Sequence, residues 1–144
     1  MKPAINFTVY GNATPQGRAR AFLMRNRRIG FYDPDKSKSW KQEIKHAFMK
    51  QYENIQIIED AIELQVTFWM QRPKSLPKKV LHHIKKPDLD NLLKAIKDSL
   101  SGLAYRDDSQ IVSVRALKVY CTDRPRVLIK ITNVTKPSPT TKGD

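Results

Sequence analysis

The chain has 144 residues, with 27 Lys and Arg against 14 Asp and Glu and a formal charge of +13, a length that makes one domain with its own core rather than two. It has no run of about 18 apolar residues, which excludes a helical membrane span. Met1 to Gly11 lacks the basic-then-apolar order of a signal peptide, so a cytoplasmic protein is expected. Its one cysteine, Cys121, excludes an intrachain disulfide, and no Cys/His spacing suits zinc.

In chain order, Ile5, Phe7 and Val9 alternate with polar residues and predict an opening strand. The turn-rich GNATPQGRAR follows. Phe22 to Met24 and Ile29 to Tyr32 are expected to form a hairpin around the basic Arg25 to Arg28. Trp40, Ile44, Ala47 and Phe48 then share one helical face, predicting a helix capped by Asp35 or Ser37 that fades near Tyr52. Ala61 to Met70 alternates cleanly and reads as a half-buried strand.

Arg72 to Lys86, with three prolines in or beside it and the pairs Lys78/Lys79 and Lys85/Lys86, reads as an exposed basic loop with room for mobility. Leu89, Leu92, Leu93, Ile96 and Leu100 recur at helical spacing and fall in one arc. Asp88 is the natural N-cap of this helix and Gly102 its natural stop. Two closing strands, about Ile111 to Tyr120 and Arg126 to Asn133, are expected to form a hairpin through Thr122 to Pro125, with a bulge near Ala116 and Leu117 where the apolar phase slips. The fold class is therefore α/β (α+β), a small mixed sheet packed with two main helices over residues 1–134, followed by a disordered tail over 135–144.

Acid is concentrated in one stretch of this basic chain. Between Lys86 and Ile111 lie five aspartates, four of them in the pairs Asp88/Asp90 and Asp107/Asp108. Each alone reads as a cap, a turn or an ordinary i,i+4 pair such as Asp90 with Lys94. If the connection Gly102 to Arg106 returns the chain along the helix, Asp107 or Asp108 approaches the flank carrying Asp90. Several carboxylates in one place form the oxygen-ligand set of a hard divalent ion, which can serve phosphoryl chemistry while Lys94 supplies a fixed positive charge.

The run PDLDNLLKAIKDSLSG, with YRDDSQI after it, resembles the signature of the RusA family of Holliday-junction endodeoxyribonucleases; PQGRAR and FYDPDKSKSW resemble its phage and prophage branch. The resemblance implies a small α/β fold, a homodimer, dependence on Mg²⁺ or Mn²⁺, no small-molecule cofactor, and paired nicks in branched DNA such as a four-way junction. It implies Asp88, Asp90 and Asp108 as metal ligands and, with Lys94, as catalytic residues, with Asp107 a possible addition. Asp98 falls at a family position but off the Asp90 flank, favouring a structural role. The chain departs from the family's N-terminal motif in having Arg18, Ala19 and Arg20 where a lysine and a proline are common.

An excess of cations suits a polyanionic partner. Arg18, Arg20, Arg25, Arg27, Arg28, Lys78, Lys79, Lys85 and Lys86 are the expected grip on DNA phosphates. Phe31, Tyr32 and Tyr105 are stacking candidates for which core packing is the stronger expectation. A noncatalytic DNA-binding module would use the same cations, and a nuclease for flap DNA, linear DNA or RNA would use the same carboxylates.

Overall fold

The computed structural model describes residues 4–16, 21–23, 29–31 and 35–134. The elements are β1 Ile5–Tyr10, β2 Ala21–Leu23, β3 Ile29–Phe31, α1 Asp35–Gln51, β4 Ile62–Met70, α2 Leu89–Leu100, β5 Ile111–Tyr120 and β6 Arg126–Asn133. A single 3-10 turn, Asp108–Gln110, leads into β5. β2 and β3 pair antiparallel, as expected. Arg18, Arg20, Arg25, Arg27, Arg28, Tyr32 and the C-terminal tail lie outside the described residues.

The main sheet runs β1-β6-β4-β5. β4 pairs parallel with β5 and antiparallel with β6, and β6 pairs antiparallel with β1. Alternation decides the faces. Phe7, Val66 and Ile129 meet in register, and with Ile5, Val9, Leu64, Phe68, Val127 and Ile131 they make the sheet's buried side. Both helices contribute to that core, α1 through Trp40, Ile44 and Phe48 and α2 through Leu92, Ala95, Ile96 and Leu100. Their packing on one face leaves Gln65, Lys130 and Arg115 to the other.

Two expectations about the closing strands are corrected. β5 and β6 do not form a hairpin, because β4 lies between them. Their link passes the end of β4, where Cys121 N donates to Met70 O at 2.8 Å. Five residues readily span two strand spacings, about 10 Å, so a short link alone did not fix the pairing. The irregularity also lies elsewhere: Ile62 faces Ile111 and Glu63 faces Ser113, leaving Val112 as the extra residue, and pairing then runs unbroken to Tyr120. β5 is an edge strand with most of its first half exposed, so burial does not enforce a phase there.

The basic segment after β4 is exposed at Lys78, Lys79, Lys85 and Lys86, yet it is tethered. Arg72 donates to Pro77 O at 3.0 Å, Val80 O at 2.8 Å and Cys121 O at 3.3 Å, and its guanidinium lies over the Tyr120 ring. Lys118 Nζ donates to Lys85 O and Pro87 O, each at 2.8 Å. These bonds set the entry to α2.

Candidate active site at the ends of helix α2

α2 begins directly after Asp88, whose backbone is extended and whose carbonyl accepts from Leu92 N at 3.1 Å. By position Asp88 is the N-cap, as the sequence indicated. Its side chain caps nothing and instead meets Lys86 Nζ at 3.1 Å. Asp90, in the first turn, has an 81% exposed side chain 3.7 Å from Lys94 Nζ. Asp88, Asp90 and Lys94 thus stand accessible within the first two turns, where the helix dipole favours negative charge.

The far end of α2 is built differently. Ser101 is the C-cap, Gly102 takes a positive φ of 87°, and Gly102 N donates to Tyr105 O at 2.7 Å. Glycine adopts that backbone without a Cβ penalty. The reversal drives the Tyr105 ring fully into the core, so Tyr105 is no stacking platform. Its hydroxyl donates to Lys97 O at 2.9 Å and lies 3.4 Å from Asp108 Oδ1. Burial first, and the Asp108 carboxylate second, push the Tyr105 hydroxyl well above its ordinary range, so it stays protonated.

Asp107 is the N-cap of the 3-10 turn. Its carboxylate accepts from Ser109 N at 2.9 Å, while Gln110 Oε1 accepts from Asp107 N at 2.9 Å, a reciprocal capping box. The Ser109 hydrogen bonds hold the Asp107 carboxyl below the usual aspartate value. Gln110 Nε2 also donates to Ile58 O at 2.8 Å and Asp60 O at 3.0 Å, pinning the turn to the chain before β4. Asp98 reaches Lys41 Nζ at 2.8 Å and ties α2 to α1.

The four aspartates of the two pairs are therefore divided. Asp88 and Asp90 stand at the N-terminus of α2, whereas Asp108 is held beside Lys97, about 10 Å further along the axis at 1.5 Å per residue. The Gly102–Arg106 link reverses the chain at the helix end, so the acidic turn emerges there and not on the Asp90 flank. Among the described residues no three His, Cys, Asp or Glu side chains are placed to hold one metal ion.

Two positioning residues escaped the sequence reading. Lys118 is a cation on the core-facing phase of β5, between Ala116 and Tyr120, and that break in the apolar pattern was the available signal. Arg72 carried none, since its partners are backbone carbonyls.

Residues 11–132 match the family described as Endodeoxyribonuclease RusA, a span that takes in α2, the acidic turn and β5. The chain belongs to the RusA family. A relative, the uncharacterized protein YqaN of Bacillus subtilis strain 168, is 36% identical over 140 residues, covering 90% of this chain and 96% of its own. RusA nucleases act on branched DNA and generally depend on a divalent metal. The oxygen donors here have the right chemistry for such an ion. One chain alone does not fit it, since Asp108 lies away from Asp88 and Asp90. No helix of the described residues is long and apolar enough to cross a membrane.

Proposed function

We propose that this RusA protein is a structure-selective, metal-dependent endodeoxyribonuclease that resolves four-way DNA junctions by paired symmetric nicks in recombination and repair. The observation that carries the reading is the start of α2, where Asp88, Asp90 and Lys94 are accessible within the RusA-like sequence and the Asp88 carboxylate is not spent on capping. Mg²⁺, or Mn²⁺ in its place, would supply Lewis acidity toward a phosphoryl oxygen. Asp88 and Asp90 are assigned as two of its ligands; Asp108, the third that the family signature implies, stands at the far end of α2 within one chain. Lys94 puts a positive charge where negative charge grows on the phosphoryl oxygens.

Lys78, Lys79, Lys85 and Lys86 are exposed along the approach to α2. With Arg18, Arg20, Arg25, Arg27 and Arg28 they grip the DNA backbone without reading bases. Two symmetric nicks call for two sites, hence a homodimer.

The test is cleavage of a synthetic four-way junction beside a linear duplex of equal length, with Mg²⁺ or with EDTA, by wild type and Asp90→Asn. Paired nicks in the junction alone, with metal alone and from wild type alone are expected. Tight, metal-independent binding without cutting under Mg²⁺ and Mn²⁺ would overturn the nuclease reading in favour of a noncatalytic DNA-binding module.

A further inference from the structure

The segment between β4 and α2 is basic, yet one of its most exposed side chains is apolar. Ile84 is 89% exposed, the most of any large hydrophobic side chain among the described residues. It stands in the run His82 to Lys86, where His82, Lys85 and Lys86 are exposed as well. A single exposed apolar side chain is ordinary on a protein surface. Its mounting here is not. His83 N donates to Lys118 O at 3.2 Å, and Lys118 Nζ donates to Lys85 O at 2.8 Å. One residue of β5 therefore holds the backbone on both sides of Ile84.

The anchoring continues in both directions. Tyr120 N donates to Leu81 O at 2.8 Å, and the His83 ring packs edge-on against the Tyr120 ring at 5.0 Å between centroids. Lys118 Nζ also reaches Pro87 O, the residue before Asp88, at 2.8 Å. His83 is thus turned toward β5 and Ile84 away from it. A segment fixed in this way loses little further entropy on binding. Isoleucine, branched at Cβ, adds a stiff χ1.

We propose that Ile84 is a wedge that enters the base stack at the branch point of a DNA junction, while Lys85 and Lys86 on the same turn hold its phosphates. Phosphates attract the lysines and offer nothing to an isoleucine. Base faces do, and a continuous duplex keeps them covered. Parting a stacked step costs free energy, and a branch point, where stacking is already interrupted, asks for less. An apolar tip among cations is therefore complementary to branched DNA and indifferent to linear duplex.

The spacing links the branch to the cut. Ile84 and Asp88 are four residues apart, at most about 14 Å of chain, which is about four base steps at a rise of about 3.4 Å. Because Lys118 holds Lys85 O and Pro87 O together, that distance is set by the fold. The insertion requires only that the protein bind branched DNA. Its role in placing the nick rests on the nuclease reading.

The experiment uses the full-length protein with a four-way junction carrying 2-aminopurine at the branch point and a linear duplex carrying it at an internal step, in EDTA so that neither is cut. 2-Aminopurine brightens when it unstacks. Wild type should brighten the junction and leave the duplex unchanged. Ile84→Ala should abolish the brightening and weaken junction binding about tenfold, with duplex binding changed by less than about twofold. Ile84→Leu, which keeps the apolar volume, should behave as wild type. Ile84→Lys should bind both DNAs at least as tightly as wild type and brighten neither.

Equal brightening by wild type and Ile84→Ala overturns the wedge, as does a saturated junction that wild type fails to brighten. A loss of affinity shared equally by junction and duplex overturns it too, since that marks a general contact. Ile84→Ala should keep the urea midpoint and the sedimentation mass of wild type; a changed mass would assign Ile84 to a contact between protein copies instead. In Mg²⁺, Ile84→Ala should scatter the nicks over neighbouring phosphates where wild type cuts at one position from the branch. Nicks that stay in place overturn the positioning role. Wild type that binds junctions without cutting them sinks the nuclease reading and the positioning role with it, while the fluorescence still decides the insertion.

Discussion

Asp88, Asp90, Asp98, Asp107 and Asp108 lie within 21 residues of each other, and their partners separate their roles. Asp98 braces α1 and Asp107 closes a capping box, so replacing either with Asn should shift the urea midpoint and leave junction cleavage measurable. Among the described residues Asp90 has Lys94 as its one ion-pair partner, and its side chain is otherwise exposed. Asp90→Asn should change folding stability by no more than about 0.5 kcal/mol while abolishing cleavage and keeping junction binding; binding lost in step with cutting would remove Asp90 from catalysis. Tyr105→Phe deletes the donor to Lys97 O and should cost about 1–2 kcal/mol in urea unfolding. The raised Tyr105 pKa gives a sign as well. The folded protein holds that proton after the unfolded chain releases it near pH 10.0, so the stability it contributes is complete below pH 10 and declines above it. Wild type should lose stability more steeply than Tyr105→Phe between pH 10 and 11, and equal slopes would refute the burial argument.

At the scale of elements, α2 was legible because apolar spacing, an Asp before it and a Gly after it agree on the same limits. Both closing strands were legible too, since Ile111–Tyr120 and Arg126–Asn133 carry strand-like composition. Their neighbours were not. Alternation reports which face of a strand is buried and is silent on which strand lies beside it, so β4 entered between β5 and β6 unannounced. The tethering of the basic segment was hidden for a related reason: Arg72 and Lys118 bind carbonyl oxygens, which every sequence has. Lys118→Met keeps the aliphatic stem and removes both bonds to the α2 entry. It should speed amide exchange at Leu89 to Leu92 and lower cleavage of a four-way junction more than it lowers stability, about 1–2 kcal/mol. Unchanged exchange would show that the entry is held without Lys118.

At the scale of the molecule, the fold class followed from the order of periodic segments, and the division of the acidic site did not. Whether two loops meet depends on where a chain reverses, and here the hydroxyl of Tyr105, a residue the sequence marks only as aromatic, holds the acidic turn at the far end of α2. Net charge is the property that needed no fold. Lys78, Lys79, Lys85 and Lys86 are exposed together before α2, so each can displace one condensed counterion from DNA, Lys86 by exchanging its ion pair with Asp88 for a phosphate. Exchanging all four for Gln should make the slope of log binding constant against log salt shallower by about 3.6, at roughly 0.9 per phosphate contact. Because phosphate contacts read no sequence, the loss should be the same for junctions of different base composition. The check is a fluorescence titration of a four-way junction from 50 to 200 mM salt, about the range over which such contacts dominate affinity. An unaltered slope would move the grip to Arg18, Arg20, Arg25, Arg27 and Arg28, and a loss that depended on sequence would mean that the lysines reach base edges.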